Sequence, residues 1–92
     1  MAAVMVTLPH PLRRFAGGSG EVSARGADVA EVLASLCDSR PELAQRVLDD
    51  RGEPRRVIRI FLNGSDLRSL EGLATPVRDG DSLALMIAAA GG

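Results

Sequence analysis

The chain has 92 residues, a length that fits one domain with a modest core. Its formal charge is −1 and it holds two aromatic residues, Phe15 and Phe61, so it offers neither a basic footprint nor a stacking platform for nucleic acid. No apolar run approaches a membrane span, the N-terminus lacks a secretory pattern, and a single cysteine excludes an internal disulfide; the cytoplasm is the expected compartment.

Val4, Val6 and Leu8 alternate with Met5 and Thr7, which predicts a half-buried first strand stopped by Pro9 and Pro11. Gly17-Gly18-Ser19-Gly20 reads as a turn, and Glu21 to Arg25 alternates again with Val22 and Ala24 inward, so the two strands form a hairpin. Asp28 is placed as a helix N-cap, with Glu31 three residues on as the partner of a capping box. Val29, Val32, Leu33, Leu36 and Cys37 then recur at helical spacing, predicting a helix over 28–39. Pro41 ends it and opens a short second helix with Leu43, Val47 and Leu48 on one face. Asp49 to Arg56 is charged and broken by Gly52 and Pro54, so it reads as a loop.

Val57 to Leu62 is the strongest strand, with Ile58, Ile60 and Leu62 on one face and Val57, Arg59 and Phe61 on the other. Asn63-Gly64 marks a turn. Ser65 to Val77 carries little periodicity; Leu67, Leu70, Leu73 and Val77 are its expected anchors. After the Asp79-Gly80 turn, Leu83, Leu85 and Ile87 alternate with Ala84, Met86 and Ala88 in a last strand that is apolar on both faces, as a central strand is. The order predicts an α+β fold: a mixed four-stranded sheet, ββαββ, with one main helix packed on one face. A single domain over 1–87 and a flexible tail over 88–92 follow.

Catalytic chemistry is sparse. His10, the only histidine, lies between two prolines in a turn, and no pattern around it builds a triad. Cys37 belongs to the helix stripe and reads as a small buried apolar group. The Asp49-Asp50 and Asp79/Asp81 pairs lie in turns and read as solvated. The Gly17–Gly20 stretch joins two strands, whereas a phosphate loop leads into a helix. No metal site is expected. All eleven basic residues are arginine, so the chain has no lysine to form a Schiff base or accept an amide-linked modifier.

The tail is different. Ala88 to Gly92 is small, uncharged and free of bulk, and fully extended it reaches roughly 17 Å, enough to thread a narrow channel. The only functional group at its tip is the Gly92 carboxylate, which makes the chain end itself the candidate reactive group. Arg59, Phe61 and Met86 share the sheet face away from the helix, an exposed aromatic–arginine–apolar set of the kind that anchors a partner. The alternative is that the 65–77 connection covers this patch.

The strand order with a terminal Gly-Gly resembles the ubiquitin-like β-grasp sulfur carriers of the MoaD/ThiS family. The resemblance covers essentially the whole chain. It is most specific over Gly72 to Gly92, "GLATPVRDGDSLALMIAAAGG", and extends to "FLNG" at Phe61 to Gly64. Within the family this segment is most similar to carriers that deliver sulfide for cysteine synthesis in actinobacteria, and next to the carriers of molybdopterin synthase. The resemblance implies a co-substrate rather than an enzyme. An E1-like enzyme, using ATP, adenylates the Gly92 carboxylate; sulfur transfer makes a thiocarboxylate; and the tail, with Gly91 and Ala90, inserts into a sulfur-accepting synthase. No cofactor is bound permanently, a recycling protease is a further candidate partner, and nucleic acid and membrane are not partners. Relatives often carry a proline several residues before Gly-Gly, and Met86 to Ala90 has none, so the acceptor stays open. Two other readings remain: a ubiquitin-like protein modifier, and a β-grasp binding module whose Gly-Gly is incidental.

Overall fold

The computed structural model describes residues 1–88. Strands β1 (Ala2–Thr7) and β2 (Glu21–Gly26) pair antiparallel, with Val4 opposite Ala24 and Val6 opposite Val22. All four side chains are buried, so the alternation read from the sequence is the alternation that faces the core. Between them the chain adds a 3₁₀ helix, His10–Ala16, which ends on Gly17 at φ 66°. It brings Leu12 into the core, and the guanidinium groups of Arg14 and Arg46 lie over the half-buried Phe15 ring, 5.3 and 5.0 Å from its centroid.

Helix α1 (Val29–Asp38) begins at the Asp28 cap: Asp28 Oδ1 accepts from Glu31 N–H at 2.9 Å. Glu31 Oε1 in turn accepts from Ala27 N–H at 2.9 Å, one residue before the cap. The whole stripe of Val29, Val32, Leu33, Leu36 and Cys37 is buried. Helix α2 (Pro41–Val47) buries Leu43 and Val47 and stops where Leu48 turns extended.

Strands β3 (Ile58–Leu62), β4 (Ser65–Asp66) and β5 (Ser82–Ile87) complete one sheet in the order β2-β1-β5-β3-β4. β5 runs parallel to β1 and antiparallel to β3, at the centre as its two apolar faces require. Leu83 and Leu85 are fully buried; at about 1.5–3 kcal/mol for each buried leucine, this strand anchors the sheet. The fold is the expected β-grasp, with five strands rather than four. The added β4 exists because Asn63 (φ 50°) and Gly64 (φ 89°) form a two-residue left-handed turn that folds Ser65 and Asp66 back onto β3. Two residues are too few to show an alternation.

The connection from Leu67 to Val77 packs on the helix side. Thr75 C=O accepts from Val29 N–H and Val77 N–H donates to Ala27 C=O, both at 3.1 Å, so the segment is stitched to the start of α1. Leu67 and Val77 join the core and Leu73 packs against it. Leu70 does not: the 3₁₀ turn of Leu67–Ser69 ends before it, the backbone changes direction there (φ −115°, ψ −139°), and its side chain is exposed. Ile87 also departs from expectation. It keeps the inward register opposite the buried Ile58, but β1 pairs with β5 only from Ser82 to Ala84, so Ile87 has a strand beside it on one side alone and is 39% exposed. Among the described residues, no helix is long and apolar enough to cross a membrane.

Candidate functional site: the open sheet face and the end of β5

With the connection on the helix side, the opposite face of the sheet is uncovered. The strand registers put its side chains in rows. Thr7, Ala84 and Phe61 face one another across β1, β5 and β3, and Arg59 sits opposite Met86. Met5 lies one step along β1. Met86 is 49% exposed, Met5 and Val57 are also exposed, and Phe61, Arg59, Ala84 and Thr7 are half-buried. The structure therefore brings Phe61, Arg59 and Met86 together on one surface. Their neighbour Met5 is a further member of this face: the period-2 alternation that turns Val4 and Val6 inward points Met5 outward. Arg59 has no ion pair among the described residues, where Arg68–Asp66 at 2.9 Å is the one such pair.

This surface adjoins the point where the chain leaves the sheet. Ala88 N–H donates to Val57 C=O at 2.7 Å, so the backbone is held against β3 one residue beyond β5. Ala90, Gly91 and Gly92 lie outside the described residues. A partner covering Met86 and Arg59 would thus sit beside Ala88, the last described residue.

A polar hub holds the other end of the β3–β5 pair. Asn63 N–H donates to Ser82 C=O at 2.8 Å, and its Oδ1 accepts from Ser82 N–H at 2.9 Å. Asp81 accepts from Asn63 Nδ2 at 3.1 Å and from Arg78 N–H at 2.8 Å. The Arg78 amide first, and then the Asn63 amide, hold the Asp81 carboxyl below its ordinary range. Asp79 Oδ1 accepts from Ala3 N–H at 2.7 Å. Both aspartates of the 79–81 turn are fastening groups.

The other sequence candidates are dispersed. His10 is exposed at the start of its 3₁₀ helix. Cys37 is buried, and burial first, then the neighbouring Asp38 charge, pushes its thiol above the ordinary range, so it stays protonated at neutral pH. No three of His, Cys, Asp and Glu come together as a metal site among the described residues.

The sequence profile of the ThiS family matches residues 6–92, nearly the whole chain. The chain belongs to that family. It is 36% identical over 91 residues to sulfur carrier protein CysO of Mycobacterium tuberculosis, covering 97% of this chain and 98% of that one. The solution structure of small archaeal modifier protein 1 from Methanosarcina acetivorans superposes with a TM-score of 0.87 at 36% identity, over 100% of this chain and 98% of that chain. The BexX/CysO complex of Amycolatopsis orientalis contains a chain similar at a TM-score of 0.85 and 34% identity, over 97% and 99% of the two chains. This ThiS-family chain thus shares its ubiquitin-like β-grasp with both sulfur carriers and small modifiers.

Proposed function

We propose that this chain is a protein co-substrate that carries sulfur on its C-terminus. The observation behind the reading is the coincidence of membership in a family of sulfur carriers with a Gly91-Gly92 end whose sole functional group is the Gly92 carboxylate. In this scheme an E1-like enzyme joins the carboxylate to the AMP moiety of ATP and releases pyrophosphate. A sulfur donor displaces AMP, leaving a thiocarboxylate in which sulfur replaces one oxygen. A sulfur-accepting synthase takes that sulfur, and water restores the carboxylate. The ATP belongs to the activating enzyme. Gly91 and Ala90 keep the inserted segment narrow, and Phe61, Arg59 and Met86 dock the folded body. The likeness to CysO favours a cysteine-forming acceptor, with molybdopterin synthesis next; a recycling protease completes the set of partners.

The test compares sulfur loading of three chains by an E1-like partner, ATP and a sulfur donor: wild type, a form extended by one residue after Gly92, and a form lacking Gly91 and Gly92. Only the wild type should load. Equal loading of the truncated form would overturn the proposal. The likeness to small archaeal modifier protein 1 favours a second reading, in which the activated end is joined to another protein. Without lysine the chain offers no side-chain amine for such a joint to itself, so a modifier would give single adducts on other proteins, never a lysine-linked ladder.

A further inference from the structure

Strand β2 closes one side of the sheet: β1 pairs along its whole length, and among the described residues no strand lies beyond it. The pairing runs from Ala2–Gly26 to Thr7–Glu21 without a bulge, and β2 holds no proline. Its outer edge therefore lacks two of the devices that keep an edge from pairing with another chain. The opposite margin, β4, is only two residues long. Along an antiparallel strand the backbone groups point alternately to one side and the other. Leu8 N–H donates to Gly20 C=O at 2.8 Å, so the even-numbered residues of β2 turn toward β1, and Glu21, Ser23 and Arg25 turn their peptide groups outward. The Ser19 hydroxyl stands at the Glu21 end of this edge, donating to Glu21 C=O at 2.6 Å and accepting from Glu21 N–H at 3.3 Å. It leaves that carbonyl its second lone pair.

The side chains of Glu21, Ser23 and Arg25 are exposed on the open face of the sheet, while Val22 and Ala24 face the core. Glu21 and Arg25 are mirror positions about Ser23. Across β1 they meet Thr7 and Ala3, which carry no charge, and neither belongs to an ion pair among the described residues. Four residues apart on one strand, they stand roughly 13 Å from each other, too far to pair within the chain. Arg13 lies against Gly20, whose side-chain position alternates to the other face, and its Nε donates to Leu8 C=O at 3.2 Å. The edge thus carries one acid and one base at equal distances from its centre.

We propose that β2 pairs antiparallel with β2 of a second copy of this chain about a two-fold axis at Ser23, joining two five-stranded sheets into one. Glu21 of each copy then lies opposite Arg25 of the other, and Ser23 lies opposite Ser23. The two Ser23 peptides exchange N–H···O=C bonds, and Arg25 N–H of each copy takes the free lone pair of Glu21 C=O in the other. A two-fold contact needs a self-complementary surface, which the Glu21–Ser23–Arg25 order supplies; like charges at both positions would repel the copy. β5 lies two strands in from this edge, so the Phe61–Arg59–Met86 face and Ala88 stay uncovered.

The test is sedimentation of the full chain and of two charge variants, alone and mixed. The interface is small, so the wild type should be monomeric at about 10 µM and sediment increasingly as a dimer toward about 1 mM. Over that range hydrogen exchange at the Ser23 amide of the ¹⁵N-labelled chain should slow about fivefold or more, while the amide shifts of Phe61 and Met86 stay fixed. Glu21→Arg and Arg25→Glu each set like charges opposite each other at both ends of the pair, and each should weaken self-association about tenfold or more. Mixed in equal amounts, the two variants bring opposite charges together at both ends and should associate at least as tightly as the wild type. Native chemical-shift dispersion checks that both are folded. A wild type that stays monomeric at about 1 mM would overturn the proposal. So would self-association of either variant equal to wild type, a mixture that associates no more tightly than its components, or association that leaves Ser23 exchange unchanged. No enzyme, ATP or sulfur donor is present, so this outcome and that of the sulfur-loading test are read separately.

Discussion

Cys37 is the residue most easily mistaken for a sulfur-handling group. It lies on the buried stripe of α1, and its protonated thiol is shielded from solvent. Cys37→Ala should leave sulfur loading intact and lower stability by about 1 kcal/mol, the cost of a small cavity; a folded variant that fails to load would show the thiol to be chemical. Phe61 is the opposite case, half-buried on a face with no cover. Phe61→Ala should weaken binding to the activating enzyme by about 1–3 kcal/mol with the fold retained, measured by titration calorimetry alongside thermal melting. Unchanged affinity would remove Phe61 from the docking surface. Residue-level features were legible when their partners were near in sequence. The Asp28–Glu31 cap spans three residues and could be read directly. The Asn63–Asp81 contact spans 18 and depends on the β3–β5 register, which local pattern does not specify.

At the scale of elements, the strands and helices follow from period-2 and period-3.6 apolar spacing, and what escaped was too short or too irregular to be periodic. The Asn63-Gly64 turn was legible, but the two-residue β4 it creates was not. The His10–Ala16 helix hides behind two prolines, which read as strand breakers although proline suits a first helical turn. The β2–α1 junction is tighter than either element suggests. A Cβ on Gly26 would lie 2.5 Å from Val32 N and 2.7 Å from Glu31 Cβ, so the strand can end against the helix only with glycine there. Gly26→Ala should destabilise by about 1–3 kcal/mol, because backbone rather than a flexible side chain must move. A melting temperature equal to wild type would mean that the two elements separate freely.

For the whole molecule, the sheet order leaves one face to the helices and one to solvent, and β5 runs up the centre of the sheet to Ala88, the last described residue. That placement was legible in outline, since a doubly apolar last strand implies a central position, but the fate of the 65–77 connection was not. It could equally have covered Phe61, and only its hydrogen bonds to the start of α1 decide otherwise. Acid tests the loops that hold this arrangement. The Asp49 carboxyl is held low by the Glu53 and Arg51 amides, Asp66 by the Arg68 side chain and then its amide, and Asp81 by the Arg78 amide and then Asn63. Groups whose folded pKa is depressed stabilise above the unfolded value, about 4 for aspartate, and lose that contribution as pH falls through the folded value. The melting temperature should therefore hold from neutral pH to about 5 and fall below about 4; a rise on acidification would contradict these assignments.

In the proposed function the Gly92 carboxylate is the reacting group. The most direct test is intact-mass measurement of the wild-type chain after incubation with ATP, an E1-like partner and a sulfur donor, followed by fragmentation of the C-terminal peptide. A sulfur carrier gains the mass of one oxygen-to-sulfur exchange, localised to Gly92. An unchanged mass, or the exchange found at Cys37 instead, would contradict the account, and covalent adducts with other proteins in place of the exchange would make the chain a modifier.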